Sequence, residues 1–238
     1  MKKYLEYLVN WLQEEVSKAN AKGVIVGLSG GVDSSVVATL AKKAFPNNSL
    51  GVFIPCGDMG QDLIDAKEVS RAIKIETITI DITESFEAMK KAVNVKKRMS
   101  IANIKPRLRM SSLYAVAQEK NYLVLGTDNA AEWILGYFTK YGDGGVDLLP
   151  IIHLTKSEVI LSAKELNLPK AVWIKKPTAA LWEGQTDEEE LGFKYSDVDK
   201  YLNGESVNET IKTKIEKQIK STEHKRLPVP KPIKKTSI

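Results

Sequence analysis

Cysteine is nearly absent from this 238-residue chain: Cys56 stands alone, which excludes an internal disulfide and any metal site built from several thiolates. That agrees with a reducing compartment, and Cys56 itself reads as a small loop residue. No stretch approaches the roughly 20 consecutive apolar residues that a membrane-spanning helix needs. The opening MKKYLEYLVNWLQEE turns polar too early for a secretory signal. The sequence therefore predicts a cytoplasmic protein with no membrane partner, and no repeat of solenoid length occurs in it. Charge of one sign is in only slight excess, a formal +5. This suits an anionic partner without separating nucleic acid from a phosphorylated small molecule. Much of the excess sits in His224, Lys225, Arg226, Lys231, Lys234 and Lys235, interleaved with Pro228, Pro230 and Pro232. The chain thus reads as one domain over residues 1–223, long enough for a substantial core, followed by an extended basic tail over 224–238.

What is present has the rhythm of an α/β fold. Leu5, Leu8, Leu12, Val16 and Ala19 recur at helical spacing, predicting an opening helix that reaches Gly23. Short continuous apolar runs follow at Val24 to Leu28, Leu50 to Ile54, Ile75 to Ile80 and Tyr122 to Leu125, with helical periodicity between them at 34–44, 63–73 and 106–119. Such runs alternating with helices predict an open parallel sheet covered on both faces. Leu148 to Ile151 is the expected fifth strand. Beyond Pro150 the pattern is helical: Thr155 and Glu158 form a capping box for a helix through Leu166, and Val207, Ile211, Ile215 and Ile219 mark another. The aperiodic stretch from Lys175 to about Asp187 has the length of an active-site lid.

The first strand runs into Ser29-Gly30-Gly31-Val32-Asp33-Ser34-Ser35 and then a helix. Adjacent glycines let backbone N–H groups converge, the serines add donors and the helix N-terminus adds partial positive charge, so the loop suits a phosphate. By itself a Gly-Gly turn with a helix cap is an equally good description. Unlike a Walker loop, it has no lysine before the serine; Asp33 stands there instead. A carboxylate beside a polyphosphate repels it unless a cation such as Mg²⁺ lies between, which makes Asp33 the first candidate metal ligand. The motif resembles the signature of the PP-loop ATP pyrophosphatases, which cleave ATP between the α and β phosphates.

A second group of motifs narrows the resemblance. GTDNAAEWILGYFTKYGDGGVD at 126–147, LTKSEV at 154–159, KKPTAAL at 175–181, QTDEEELG at 185–192 and EHKR at 223–226 are, in order, similar to segments of the ammonia-dependent NAD synthetases. That resemblance implies a Rossmann-like, adenine nucleotide alpha-hydrolase-like fold with five parallel strands and additional C-terminal helices. It implies ATP contacts at Gly27, Leu28, Ser29, Gly30, Gly31, Val32, Asp33, Ser34, Thr127, Lys156 and Thr178, and Mg²⁺ on Asp33 and Glu132. It also implies deamido-NAD contacts at Arg107, Lys140, Asp147, His224 and Lys225, with Asp33, Glu132 and Lys156 as the catalytic set.

The residues read on their own agree in part. Thr127 and Asp128 follow an apolar strand, at the sheet edge where ligands of open α/β folds collect. Glu132 lies a helical turn further on; alone it reads as a solvated helix carboxylate. Arg107 has a planar fork suited to phosphate or carboxylate, whereas Arg109 reads as solvating a helix face. Lys156 opposes the dipole at a helix start, which a phosphate partner on the side away from the metal explains. The segment PTAAL carries Ala180 where the family often has glycine or an acidic residue.

The activity implied is a ligase reaction: deamido-NAD is adenylated by ATP with loss of pyrophosphate, and ammonia displaces AMP to give NAD. The family's glutamine-using members carry a fused glutaminase for which this length leaves no room, so free ammonia is the expected donor. A homodimer is also implied, with Trp11, Trp133, Ile134 and Leu135 as apolar candidates for its interface. The rival expectation is a PP-loop enzyme that adenylates tRNA. Such enzymes generally add an RNA-binding domain or cysteine chemistry, so no nucleic-acid partner is expected.

Overall fold

The structure, a computed structural model, describes residues 1–175 and 187–234. In chain order its elements are α1 (Lys2–Lys18), β1 (Gly23–Gly27), α2 (Val32–Ala44), β2 (Ser49–Phe53), α3 (Gln61–Ile73), β3 (Glu76–Thr79), α4 (Thr83–Val93), α5 (Arg98–Ala102), α6 (Ile104–Lys120), β4 (Tyr122–Leu125), α7 (Ala130–Leu135), α8 (Lys156–Glu165), α9 (Lys170–Ile174), α10 (Asp187–Leu191), α11 (Tyr195–Leu202) and α12 (Glu209–Thr222). All strand pairs are parallel, in the order β3-β2-β1-β4, with Ile25 opposite Leu50 on one side and Val124 on the other.

The apolar runs are continuous because both faces of the sheet are covered. Val24, Val26 and Leu125 point to a core shared with Leu5, Leu8 and Leu12 of α1, Val36, Val37 and Leu40 of α2, and Val159 of α8. Ile25, Leu50, Val52 and Val124 point the other way, onto Leu113, Val116 and Ala117 of α6. Edge strand β3 reads Glu-Thr-Ile-Thr and is largely open to solvent, which discourages further pairing there.

The fifth strand expected at Leu148 to Ile151 does not form: among the described residues the sheet has four strands. Leu148 makes a single parallel bridge to Leu125 before the chain turns. Pro150 has no N–H to offer a ladder, so pairing stops. Helices α4 and α5 were not anticipated.

A third, smaller core joins the C-terminal helices to α7, through Ala131, Leu135, Tyr195, Val198 and Ile215. Gly136 ends α7 at φ +58°, and a Cβ there would lie 2.5 Å from Thr222 Cβ, so this close approach of α12 requires glycine. Thr222 Oγ1 donates to Leu135 O at 2.9 Å, seating the end of α12 and delivering the following 3₁₀ turn, Glu223–Lys225, to the sheet edge. The apolar residues considered for a subunit interface have partners within the chain. Leu135 is fully buried, Ile134 packs on the third core, Trp11 on the first, and Trp133 stacks on Phe138 at 5.2 Å.

Candidate active site

In this strand order the chain leaves β1 toward β2 on one side while β4 returns on the other, so the loops after β1 and β4 diverge at the carboxyl edge of the sheet. A crevice opens at such a switch point. Here it is a cleft of about 1210 Å³ lined by both loops, by α6, by the loop after α7 and by the turn at His224 and Lys225.

The loop after β1 is shaped by one tight contact. Gly30 sits at φ +85°, and a Cβ on it would lie 2.2 Å from Asp62 O at the start of α3, so only glycine fits. Ser29 Oγ and Ser34 Oγ share a hydrogen bond of 3.0 Å, and Ser35 Oγ donates to Gly31 O at 2.7 Å, which closes the turn. Gly31 caps α2 without a side chain, so the first-turn N–H groups have no capping acceptor. Gly27, Leu28, Ser29, Gly31, Val32, Asp33 and Ser34 line the cleft, and Gly30 is buried beneath it. An anion suits this helix end.

Opposite stands the loop after β4. Asn129, fully buried, caps α7: its Oδ1 accepts from Ala131 N and Glu132 N at 3.0 Å, while its own N–H donates to Glu132 Oε2 at 3.2 Å. The Asn129 side-chain amide also crosses the switch point and donates to Asp33 Oδ1 at 2.8 Å. One residue thus orients both carboxylates. The remaining oxygens converge on Lys156 Nζ, Asp33 Oδ2 at 2.6 Å and Glu132 Oε1 at 3.3 Å. Lys156 opens α8, placed there by the Thr155 and Glu158 capping box, and its ammonium also lies 5.2 Å from the centre of the Tyr195 ring.

The partners of Lys156 are the two carboxylates themselves, so it stands where they meet. One ammonium cannot neutralise two carboxylates, and the shorter contact goes to Asp33. Burial, with Asp33 nearby and Lys156 only partly compensating, pushes the Glu132 carboxyl up to about 7. The paired carboxylates hold the Lys156 ammonium above its usual range despite burial.

Thr127, Arg107, Lys140, His224 and Lys225 also line the cleft. Lys140 Nζ donates to His224 O at 2.6 Å, Arg107 Nη2 to Lys140 O at 3.4 Å, and Lys225 Nζ to Gly136 O and Phe138 O at 2.6 and 2.7 Å. Asp147 does not join them: it accepts from Tyr114 Oη at 2.9 Å and Val124 N at 2.8 Å, away from the cleft lining. Arg109, read as a solvated helix residue, instead turns inward and donates to Ile54 O at 3.1 Å, and burial lowers its pKa. Thr178, Ala180 and most of the segment taken for a lid lie outside the described residues. Lys175, at its near end, holds Asp62 and Asp65 of α3 at 2.5 and 2.6 Å.

Asn129 is the site residue that sequence reading passed over, while Asp128 was placed at the sheet edge but given no role. The signal for Asn129 was Asn-x-x-Glu at 129–132, a capping box that ties the helix start to Glu132. Asp128 is buried, its Oδ2 has no hydrogen-bond partner among the described residues, and burial and then the charge of Asp143 raise its pKa well above the carboxylate range.

Among the described residues no group of three or more His, Cys, Asp or Glu side chains is placed to hold a metal ion. Two carboxylates with oxygens converging on one cation position, beside an anion-binding helix end, do match how Mg²⁺ is held. That ion takes one or two protein carboxylates and completes its shell with substrate phosphate oxygens and water. Asp33 and Glu132 therefore fit it.

A family model described as NAD synthase matches residues 4–229. The chain belongs to the NAD synthase family. An NH(3)-dependent NAD(+) synthetase from Mycoplasmopsis pulmonis (strain UAB CTIP) is 57% identical over 231 residues, which cover 97% of this chain and 90% of the relative. Two solved members of similar shape are a structure described as NMN synthetase from Francisella tularensis and an NH3-dependent NAD synthetase from Campylobacter jejuni. The first has a TM-score of 0.93 at 40% identity and covers 97% of this chain and 98% of its own. The second has 0.82 at 30%, covering 98% of each. The NAD synthase match spans both core layers and the C-terminal helices that close the cleft.

Proposed function

We propose that the chain is an ammonia-dependent NAD synthetase, a carbon-nitrogen ligase that forms AMP. The observation that carries this reading is the convergence of Asp33 and Glu132 on one cation position beside the uncapped start of α2. ATP lies with its phosphates on residues 27–34, contacted by Thr127, Lys156 and Thr178. A Mg²⁺ ion held by Asp33 and Glu132 supplies the divalent charge that offsets repulsion between Asp33 and the triphosphate. Arg107, Lys140, His224 and Lys225 bind deamido-NAD, and Asp147 acts from behind the cleft by fixing the end of the substrate loop to β4.

The nicotinate carboxylate attacks the α-phosphorus, pyrophosphate leaves, and the NAD-adenylate remains. Ammonia adds to the activated carbonyl and AMP departs. The chain's share is positioning and charge: the α2 N–H groups and Lys156 receive the departing pyrophosphate, and no side chain acts as nucleophile. Residues 1–223 act as one domain in the cytoplasm, with 224–238 contributing to substrate binding. The protein works as a homodimer, for which Met89, Val93, Val95 and Met99 supply exposed apolar surface; a molar mass of one chain in solution contradicts that. With ATP, Mg²⁺, ammonium and deamido-NAD, the products should be AMP, pyrophosphate and NAD; ADP and phosphate refute the route.

The Francisella structure favours a second reading, in which the same amidation is performed on the pyridine mononucleotide. Side-by-side kcat/KM values for deamido-NAD and the deamido mononucleotide decide between them. The high identity to the NAD synthetase relative supports the dinucleotide.

A further inference from the structure

The position that a bridging divalent ion needs is held by the chain's own cation. Asp33 Oδ1 is engaged by Asn129 and Glu132 Oε2 by the Asn129 N–H, so the two oxygens that face each other are the ones Lys156 touches. A small divalent ion sits about 2.0–2.1 Å from each carboxylate oxygen. It cannot share that space with an ammonium only 2.6 Å from Asp33 Oδ2.

Lys156 can leave, but it needs another anion. Its backbone is fixed: the main-chain N–H donates to Asp199 Oδ1 at 3.2 Å, at the start of α8. Its four-carbon side chain has the rotatable bonds to redirect the ammonium about that anchor. The side chain is 7% exposed, so withdrawal into bulk water is not open to it without rearrangement. The new anion has to arrive inside the cleft, and the helix end suited to one begins with the residues that carry Asp33 itself.

We propose that Lys156 is the resident counter-cation of the Asp33 and Glu132 pair, and that it makes divalent ion and nucleotide triphosphate bind jointly rather than in turn. Without nucleotide, the ammonium blocks the ion. With it, the triphosphate draws the ammonium away and leaves both carboxylates to the ion. Lys156 is then a coupling residue as well as a phosphate contact. The inference rests on the assignment of Asp33 and Glu132 as ligands.

The test measures Mn²⁺ binding to the full-length protein by electron paramagnetic resonance, with and without a non-hydrolysable ATP analogue. Wild type should bind Mn²⁺ weakly alone, and about 100-fold tighter in the ternary complex than alone, a coupling at the upper end of the usual range. Lys156→Met should bind Mn²⁺ alone at least about 10-fold tighter than wild type, and adding Asp33→Asn should abolish that gain. Circular dichroism verifies that the variants fold; if Lys156→Met does not, the wild-type arms decide. Tight Mn²⁺ binding by wild type alone that is lost in Asp33→Asn overturns the coupling and leaves the ligand assignment standing. No protein-bound Mn²⁺ in wild type even with the analogue overturns both.

Discussion

On the side of the cleft where α2 and α7 begin, Asp33, Asn129, Glu132 and Lys156 are wholly or largely buried and bond directly to one another across the switch point between β1 and β4. On the opposite side, Arg107 and His224 are exposed, and Arg107, Lys140 and Lys225 spend their donors on main-chain carbonyls. The difference separates two kinds of preparation. The buried side has its charges set before any ligand arrives, because uncompensated charge there is costly. The open side has cations that help hold loop and tail together and that can be redirected to an anionic substrate at little cost.

That contrast breaks most visibly at Asp33. Asp33→Asn is expected to lower kcat/KM on the order of 10³-fold with the fold retained, as for loss of a group that acts on transition-state charge. A loss below tenfold places the chemistry elsewhere. Next comes Asn129. Asn129→Ala removes a helix cap, about 1 kcal/mol of stability, and frees both carboxylates, for which an activity loss of about 100-fold is expected. Restoring the cap with Asn129→Ser should recover the stability and not the activity, since serine cannot reach Asp33 in the same way. Recovery of both together means that Asn129 only caps.

How much of this contrast could be read in the sequence follows from the range of the interactions. The loop after β1 was legible because its glycines, serines and Asp33 are contiguous and their chemistry is local. The sheet was legible from its apolar runs, except that Pro150 turned a promising fifth run into one bridge. Helix α4 was overlooked although Phe86, Met89 and Val93 recur at helical spacing; it is a short stripe of which only Phe86 is buried. The contact between Lys156 and Asp33 was not legible because the two lie 123 residues apart in the chain, and no spacing rule spans that distance. Arg109 failed for the same reason: its acceptor, Ile54 O, lies 55 residues away.

The pH dependence sharpens the contrast with a smaller effect. Glu132 has its carboxyl raised from 4.5 to about 7, so between those values the folded protein holds more proton there than the unfolded chain. Its contribution to stability is therefore largest below pH 4.5 and falls as pH rises through 7. Urea unfolding of wild type against Glu132→Gln, without nucleotide, should show the variant gaining relative stability from pH 5 to pH 7.5. A constant difference across that range means that the carboxylate is not under strain. On the open side, Lys225→Met is expected to raise the KM for the pyridine nucleotide about tenfold with kcat nearly unchanged, a loss of uniform binding. Smallest of all, Tyr114→Phe removes one hydrogen bond to Asp147, and should cost about 1 kcal/mol in unfolding experiments and leave catalysis intact.

The most direct measurement follows an oxygen atom. Deamido-NAD labelled with ¹⁸O in its nicotinate carboxylate, turned over with ATP, Mg²⁺ and ammonium, should pass one labelled oxygen to AMP, because the carboxylate oxygen that attacks the α-phosphorus leaves with it. AMP free of label, or ADP in its place, contradicts cleavage between the first two phosphates by the substrate's own carboxylate.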